Sequence, residues 1–259
     1  MSASSLKITF LGTGTSSGVP MIACSCPVCV SNDIHDKRFR SSILVESDTT
    51  RFVIDTTPDF RSQMLAHRVD KLDAVLYTHP HKDHVAGLDD VKAFCYFQSR
   101  SMNVYANAIT RSALEREFSY IFSENKYPGV PDIDVIDIDM DAFLIGDIKV
   151  TPIKVWHLNM PVLGFRIGTF TYITDANRID PEERAKIRGT EVLVLNALRK
   201  EKHLSHFTLN EAIDVANDIG ASQTYFTHIS HQLGLHAQIN SELPAGIRLA
   251  YDGLVINLP

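Results

Sequence analysis

Short apolar runs along the chain predict many strands. Runs at 6–11, 42–46, 51–55, 74–77, 103–105, 191–195 and 224–227 are rich in β-branched and aromatic residues and are bounded by turn residues, as is typical of buried strands. Apolar and polar residues alternate from 132 to 153, which predicts strands with one wet face. A hairpin is expected at 164–167 and 171–175, and a last strand or pair at 247–258, with Asp252-Gly253 as a type I′ turn candidate.

Between these strands, apolar residues recur at the three- and four-residue spacing of a helix. It predicts helices at 59–67, from Val85 to Tyr96, at 108–122, from Asp180 onwards and at 208–219. Pro58 is expected at the first helical position and Thr57 at the cap. Asp180-Pro181 with Glu183, and Thr208 with Glu211, are typical helix starts. Strands mixed with helices favour an α/β architecture.

The chain of 259 residues has no internal repeat, no low-complexity segment and no obvious linker. We therefore predict a single domain over 1–259. Hydrophobic residues make up 44% and charged residues 22%, as in ordinary globular proteins.

The net charge, and the lack of a membrane-span or signal-peptide pattern in the sequence, argue against several classes of protein. The net charge is −6, which argues against broad nucleic-acid binding but allows a small anionic ligand held by metals. No apolar run approaches the ~18 residues of a membrane span. The stretch 1–7 has no apolar core of a signal peptide. We expect a cytoplasmic protein without membrane contacts.

The densest chemistry lies in Thr78-His79-Pro80-His81-Lys82-Asp83-His84, directly after the apolar run 74–77. In an extended chain His79, His81 and Asp83 project to one side, and the chain is expected to turn near Asp83-His84. Imidazole and carboxylate are common ligands of divalent metals. A histidine-rich surface loop is the alternative.

Three further residues favour a metal centre over that loop. His157, Asp175 and His228 each end an apolar strand, so all can face one rim of a sheet. Taken singly, each could be an ordinary structural residue. Two ions about 3.5–4 Å apart, bridged by a carboxylate, would use the whole set. Asp55 ends another strand and either orients a ligand histidine or caps a helix.

The segment at about 12–40 carries two further motifs. Gly12, Gly14 and Gly18 have spacing that fits neither a dinucleotide nor a P-loop fingerprint. We expect a loop that passes close to another backbone, with a phosphate cradle as the alternative. Cys24, Cys26 and Cys29 supply three ligands of a structural zinc site. A fourth ligand, expected to be a histidine, must come from far along the chain.

These motifs resemble the metallo-β-lactamase superfamily over essentially the whole chain. The resemblance implies a four-layer αββα sandwich. It also implies one metal on His79, His81 and His157, a second on Asp83, His84 and His228, and a bridging Asp175. The closer resemblance is to the phosphoribosyl cyclic phosphodiesterase family of phosphonate breakdown, carried by the 12–29 segment and His228-Ile-Ser-His231. It implies His231 as the fourth zinc ligand and His206 as the catalytic histidine, with a solvent-exposed loop as the alternative for His203 and His206.

We therefore expect an enzyme that hydrolyses a small, cyclic ribose-type phosphodiester by attack of metal-bound hydroxide, with two Mn²⁺ or Zn²⁺ ions and one structural Zn²⁺. Asp83 belongs to the catalytic set, and the leaving group needs a proton from His206 or His203. Open alternatives are a thioesterase, a transfer-RNA 3′-processing nuclease, a β-lactamase, or a carrier like the pyrroloquinoline-quinone biosynthesis protein. The native metal and a homodimer also stay open.

Overall fold

A computed structural model describes residues 5–259, so the first four residues of the expected domain lie outside the described part. That part forms two seven-stranded sheets. The strands are β1 Leu6–Gly12, β2 Ser42–Glu46, β3 Arg51–Ile54, β4 Ala74–Leu76, β5 Met102–Ala106, β6 Ile133–Asp137, β7 Phe143–Ile145, β8 Ile148–His157, β9 Met160–Ile167, β10 Phe170–Tyr172, β11 Val192–Asn196, β12 Gln223–Thr227, β13 Ile247–Leu249 and β14 Val255–Leu258.

Helices flank the sheets. They are α1 Phe60–Ala66, α2 Lys82–Val85, α3 Lys92–Gln98, α4 Ala108–Glu117, α5 Ser119–Phe122, α6 Pro181–Ile187, α7 Leu209–Ile219 and α8 His236–Glu242, with short 3₁₀ turns at Ile34–Asp36 and Leu88–Val91. The start of α7 carries the expected capping box, since Thr208 Oγ1 accepts from Glu211 N and Glu211 accepts from Thr208 N. Among the helices of residues 5–259, none is long and apolar enough to cross a bilayer.

Three apolar layers hold the architecture together. Between the sheets, Phe10 and Phe52 pack in one cluster with Phe165 and Tyr172. A second cluster joins the first sheet to α1, α3, α4 and α5, and a third joins the other sheet to α6, α7 and α8. The order is therefore helices, sheet, sheet, helices, and the expected αββα sandwich is confirmed.

The sheet topology directs several strand ends to one rim. In the first sheet β3, β4, β5 and β6 are mutually parallel, and in the second β10, β11, β12 and β13 are. The carboxyl ends of parallel strands meet at the same edge of a sheet. Loops that follow β3, β4, β10 and β12 can therefore bring polar side chains together.

Three local predictions are corrected. The helix expected from Val85 already begins at Lys82, so Asp83 and His84 lie on α2, and a 3₁₀ turn separates α2 from α3. The helix expected at 108–122 is broken at Phe118, which leaves helical geometry with φ −114° and ψ 38°. The predicted cap at Asp180 forms no side-chain cap bond, because the carboxylate accepts instead from Trp156 Nε1 at 2.6 Å.

The pair of strands expected at 247–258 is found as β13 and β14, but the type I′ turn expected at Asp252-Gly253 is wrong. β13 and β14 belong to different sheets, so Asp252-Gly253 crosses between layers. Asp252 accepts from Phe39 N at 2.6 Å and from Thr13 Oγ1 at 2.7 Å. The turn residues therefore anchor the long 12–40 segment to the end of the chain.

Candidate metal centre

The structure brings together all seven residues expected at the binuclear site. His79 and His81 follow β4, Asp83 and His84 lie on α2, and His157 ends β8. Asp175 and His228 follow β10 and β12. Potential ligand atoms fall within 4.8 Å of one another in three groups: Asp83, His84, Asp175 and His228; His79, His81 and Asp175; and His157, Asp175 and His206.

Asp175 belongs to all three groups. Its Oδ2 lies 3.7 Å from His79 Nε2 and 3.5 Å from His84 Nε2, and its Oδ1 lies 3.0 Å from His228 Nδ1. His157 is grouped with Asp175 and His206 rather than with His79 and His81, although its ring lies 5.1 Å from that of His81. One carboxylate thus faces every group, which is the position required of a bridging ligand.

Asp55 orients His84 directly and His79 through Thr78, in both cases by hydrogen bonds to the ring nitrogen that faces away from the centre. Its Oδ2 accepts from His84 Nδ1 at 2.7 Å and from Thr78 Oγ1 at 2.8 Å. Because Thr78 Oγ1 gives its proton to Asp55, it must accept from His79 Nδ1, 2.9 Å away. Both imidazoles therefore carry their proton on Nδ1 and turn Nε2 towards the centre. This supports the ligand-orienting interpretation of Asp55 over helix capping.

Burial keeps three of the histidines neutral, the form that binds metal. It lowers the pKa of His79 well below its ordinary value and the pKa of His157 and His228 to about 4. His157 donates from Nδ1 to Ser205 O at 3.0 Å, which leaves Nε2 free. Since each ring can offer an unprotonated nitrogen at neutral pH, no protons need to leave these three before a cation binds.

The pKa of His84 moves the other way. Burial alone lowers it, but Asp175, Asp83 and Asp55 surround the ring and together raise the pKa well above its ordinary value. The pKa of Asp83 is raised by burial, yet His84 outweighs this and holds it below the ordinary range. The pocket is therefore a concentration of negative charge that attracts cations.

Unpaired buried nitrogens provide a test of whether metals fit. His79 Nε2, His84 Nε2 and His228 Nδ1 are buried and have no hydrogen-bond partner among the described residues. Buried polar atoms are ordinarily paired. These three point towards the same carboxylates, and a mixed imidazole and carboxylate set suits Mn²⁺ or Zn²⁺. The residues present therefore fit divalent cations.

His206 lies at the edge of the same centre. Its Nε2 is 3.3 Å from Asp175 Oδ2, and its Nδ1 is 3.2 Å from His203 Nδ1. Burial, together with the neighbouring His206 and Arg199, lowers the pKa of His203, so His203 is suited to accept from His206 Nδ1–H. His203 is absent from the three ligand groups. Of the two histidines, the geometry favours His206 as the one that meets a substrate.

Two of the site residues and Asp55 have left-handed backbones. φ is 69° at Asp55, 54° at Asp175 and 56° at His228. Asparagine and aspartate tolerate this region better than most residues, whereas histidine there is uncommon. Such conformations cluster at functional sites, where surrounding contacts hold them in place.

The cysteine cluster closes around the histidine expected as its fourth member. Cys24, Cys26, Cys29 and His231 form one group within 4.8 Å, and His231 Nδ1 lies 3.4 Å from Cys24 Sγ and 3.3 Å from Cys26 Sγ. A tetrahedral zinc ion would space such ligand atoms by about 3.5 Å. The hydrogen bond from His231 lowers the pKa of Cys26 to about 6, which favours the thiolate that binds zinc.

The glycine loop connects the two clusters. A Cβ at Gly12 would lie 2.0 Å from the carbonyl oxygen of Arg40, which explains the glycine by a close backbone approach. Farther along, Thr15 Oγ1 lies 3.2 Å from His228 Nε2, and Thr15 N donates to Ile229 O. The loop thus supports His228 from one side while His231, three residues on, belongs to the cysteine cluster.

Sequence reasoning missed several supporting residues. Thr15, Thr78 and Ser205 each hold a ligand histidine through a hydrogen bond. Thr78 precedes His79 directly, but a threonine before a histidine carries no signal of its own. The role depends on Asp55, which is 23 residues away along the chain.

Comparisons with known proteins show what this chain is similar to. The model of the family described as the β-lactamase superfamily domain matches residues 50–229. A crystal structure of a diphosphatase from the PhnP family superposes with a TM-score of 0.93 at 40% identity, covering 98% of this chain and 97% of that chain. Ribonuclease Z of Methanopyrus kandleri is 25% identical, with 98% of each protein covered.

A third relative is longer than this chain. The octanoyltransferase of Porphyromonas gingivalis is 40% identical over 252 residues, which is 96% of this chain but 51% of that protein. The chain therefore spans about half the length of this curated relative. The match shows common ancestry of one half and leaves the other half without a counterpart in this chain.

Proposed function

Because the chain belongs to the metallo-β-lactamase superfamily, we propose that it is a binuclear metal-dependent hydrolase of small phosphodiesters. The expectation of an enzyme with this fold is confirmed by the family match. The observation that carries the finer proposal is the position of Asp175. It belongs to all three ligand groups, one of which includes His206. Two cations sharing that carboxylate suit an in-line displacement at phosphorus.

The chain's residues fall into two metal sets in this proposal. His79, His81 and His157 would hold one ion, Asp83, His84 and His228 the other, and Asp175 would bridge them. Bound divalent ions supply Lewis acidity towards phosphoryl oxygens and make a nucleophile available from water at neutral pH. Asp55 and Thr78 orient the ligand rings throughout, since their hydrogen bonds fix the tautomers.

The proton for the leaving group would come from His206. A protonated His206 donates from Nδ1 to His203 Nδ1 and presents Nε2–H on the side of Asp175. His203 thereby holds the ring in orientation while Nε2 gives its proton to the departing alkoxide. Asp83, kept ionised beside His84, contributes charge to the centre rather than a proton.

Hydrolysis of a diphosphate is a second candidate. The structural relative at 40% identity is described as a diphosphatase, and it covers nearly the whole of both chains. The chemistry is related, because a diphosphate also needs attack at phosphorus between charged oxygens. It differs in the leaving group, since a phosphate leaves more readily than an alkoxide and depends less on His206.

The octanoyltransferase relative suggests a third candidate, the hydrolysis of a thioester. This chain matches about half of that protein, and the matched residues of this chain include its β-lactamase superfamily domain. Hydrolysis of an octanoyl thioester is then the acyl reaction that this chain could perform. A binuclear centre of the same kind can polarise a thioester carbonyl.

The substrate class is tested with manganese-loaded protein. We expect bis-p-nitrophenyl phosphate to be hydrolysed much faster than p-nitrophenyl phosphate, a dinucleoside diphosphate or octanoyl-pantetheine. Asp175→Asn should abolish the turnover, and Asp147→Asn, an exposed carboxylate on the turn between β7 and β8, should retain it. Faster turnover of the diphosphate would favour the second candidate, and turnover of the thioester alone would overturn phosphoryl chemistry.

A further inference from the structure

A pocket lies at the open edge of the two sheets, where β13 and β14 are the last strands. Its volume is about 400 Å³, and its walls come from β12, β13 and α8 and from Tyr251 and Leu254, which lie between β13 and β14. The residues that line this edge pocket are different from the described metal ligands. A molecule bound there would therefore use contacts of its own.

Arg248 supplies the positive charge of the edge pocket. Tyr225 and Arg248 pair in register across β12 and β13, so their side chains project from the same face of the sheet. Among residues 5–259 the Arg248 guanidinium has no ion-pair partner, whereas Arg184 pairs with Asp218. No carboxylate lines the edge pocket, although four other surface cavities of this acidic protein each include at least one.

A buried histidine presents a donor to the same pocket. His236 is only 8% exposed, and its Nδ1 lies 2.9 Å from Arg38 Nη2. Because a guanidinium can only donate, Nδ1 accepts and the ring proton is on Nε2. Arg38 is itself held by Thr13 Oγ1 and Ala250 O, both at 2.7 Å. Burial and Arg38 lower the pKa of His236 to about 4, so the ring stays neutral at physiological pH.

The Nε2–H of His236 has no acceptor among the described residues, and neighbouring side chains also have free donors. Asn240 Oδ1 accepts from Leu249 N at 2.9 Å, which leaves the amide protons of Asn240 available. The hydroxyls of Tyr225 and Tyr251 have no hydrogen-bond partner in the described part of the chain, and the rings of Tyr251 and His236 lie 6.0 Å apart. Several donors beside one cation, without a carboxylate, are the chemistry of an anion site.

We propose that the edge pocket binds the phosphate group of a small phosphorylated molecule. The guanidinium of Arg248 pairs with two phosphate oxygens, a geometry that suits its planar fork. His236 Nε2 and Asn240 Nδ2 donate to the remaining oxygens. The volume is within the range of small-molecule sites, so the pocket has room for more than the phosphate itself. The proposal does not depend on hydrolysis at the metal centre.

Isothermal titration of the metal-loaded protein with inorganic phosphate and with adenosine 5′-monophosphate tests the proposal. The wild type should bind at the edge pocket with a dissociation constant of at most about 1 mM. Arg248→Gln should raise that constant about 10- to 100-fold, the effect of losing a hydrogen bond between charged groups. Arg248→Lys keeps the cation and should lose less. Tighter binding of the nucleotide would identify an organic phosphate as the ligand, and equal binding would identify the free ion.

Asp175→Asn separates this pocket from the metal centre, which can also bind phosphate. Asp175 belongs to the metal ligand groups and does not line the edge pocket, so the binding that depends on Arg248 should persist in this variant. The matched control is Arg188→Gln, which replaces an exposed arginine outside all five described cavities and should bind phosphate like the wild type.

Three results would overturn the proposal. One is phosphate binding that is lost in Asp175→Asn but unchanged in Arg248→Gln, which would assign all of the binding to the metals and leave the proposed hydrolysis intact. Another is equal weakening by Arg188→Gln, which would reduce the role of Arg248 to its charge alone. The third is a wild type that binds neither ligand at the edge pocket up to about 10 mM.

Discussion

Asp55→Asn separates the orientation of the metal ligands from the fold. Asn occupies nearly the same volume and tolerates the left-handed backbone found at Asp55. The aspartate makes three hydrogen bonds, accepting from Thr78 N, Thr78 Oγ1 and His84 Nδ1. An amide retains one oxygen and replaces the other by a donor, so one side of the group must now face a donor.

The two orientations of the amide have different costs. If its NH₂ faced Thr78 N, two donors that cannot change would oppose each other inside the protein. If it takes the place of Oδ2, it faces both His84 Nδ1 and Thr78 Oγ1. His84 can respond by moving its proton from Nδ1 to Nε2, and Thr78 Oγ1 can accept from the amide and donate to His79 Nδ1, which moves that ring's proton to Nε2 as well. The second orientation is favoured, and it places a proton on the nitrogen that faces Asp83 and Asp175. That proton occupies the position of the metal.

The expected loss of metal affinity follows from this change of tautomer. Substituting a residue that orients a ligand histidine typically costs 10–100-fold in affinity, which is about 1.4–2.7 kcal/mol. The loss should fall on both ions, because His84 and His79 would each turn a protonated Nε2 towards the centre. The free energy of unfolding of the metal-free protein should fall by about 1–3 kcal/mol, because the buried charge-assisted hydrogen bond between His84 and Asp55 is replaced by a neutral one.

Isothermal titration of metal-free protein with Mn²⁺ measures this directly. The wild type should show two strong sites at the histidine cluster, and Asp55→Asn two weakened sites. Asp73→Asn is the matched control, since Asp73 precedes β4 at the end opposite to His79 and binds Arg51 N and Arg100. Two unchanged sites in Asp55→Asn would refute the orienting role.

Three further outcomes are expected. His206→Ala should slow diesters with aliphatic leaving groups at least about 100-fold more than aryl ones, since only the former need a proton; equal losses in the measured kcat would remove His206 as the acid. Cys26→Ser should remove one zinc per chain by elemental analysis and lower the free energy of unfolding by more than about 2 kcal/mol, and full zinc retention would contradict the zinc site. Burial raises the pKa of Asp252 to about 6, so its contribution to stability is greatest below about pH 4 and is lost as the pH rises through 6. Urea titrations should show that the difference in the free energy of unfolding between wild type and Asp252→Asn changes by at most about 3 kcal/mol between pH 4 and 7. A difference that does not depend on pH would refute the assignment.

Much of the architecture could be predicted from the sequence, because buried strands show their apolar runs without ambiguity. β3, β4, β11 and β12 are of this kind, and all are found close to the expected bounds. The failures lie where tertiary contacts decide. At Asp252-Gly253 the local pattern suited a hairpin, but hydrogen bonds to Phe39 and Thr13 direct the chain to the other sheet.

The candidate site divides in the same way. The His79–His84 cluster and the strand-end residues Asp175 and His228 could be found from the sequence. Only a few residue types bind metals, and here they stand directly after predicted strands. Their metal-binding roles stay predictions. The supporting shell could not be found, because Thr15 and His228 are 213 residues apart and meet only in the folded protein.

Anomalous X-ray scattering from a crystal of the manganese-loaded protein tests the central claim most directly. Two peaks about 3.5–4 Å apart on either side of the Asp175 carboxylate, one near His79 and the other near His84, are the predicted result. A single peak, or two peaks that do not share Asp175, would contradict the binuclear centre on which the proposed hydrolysis depends.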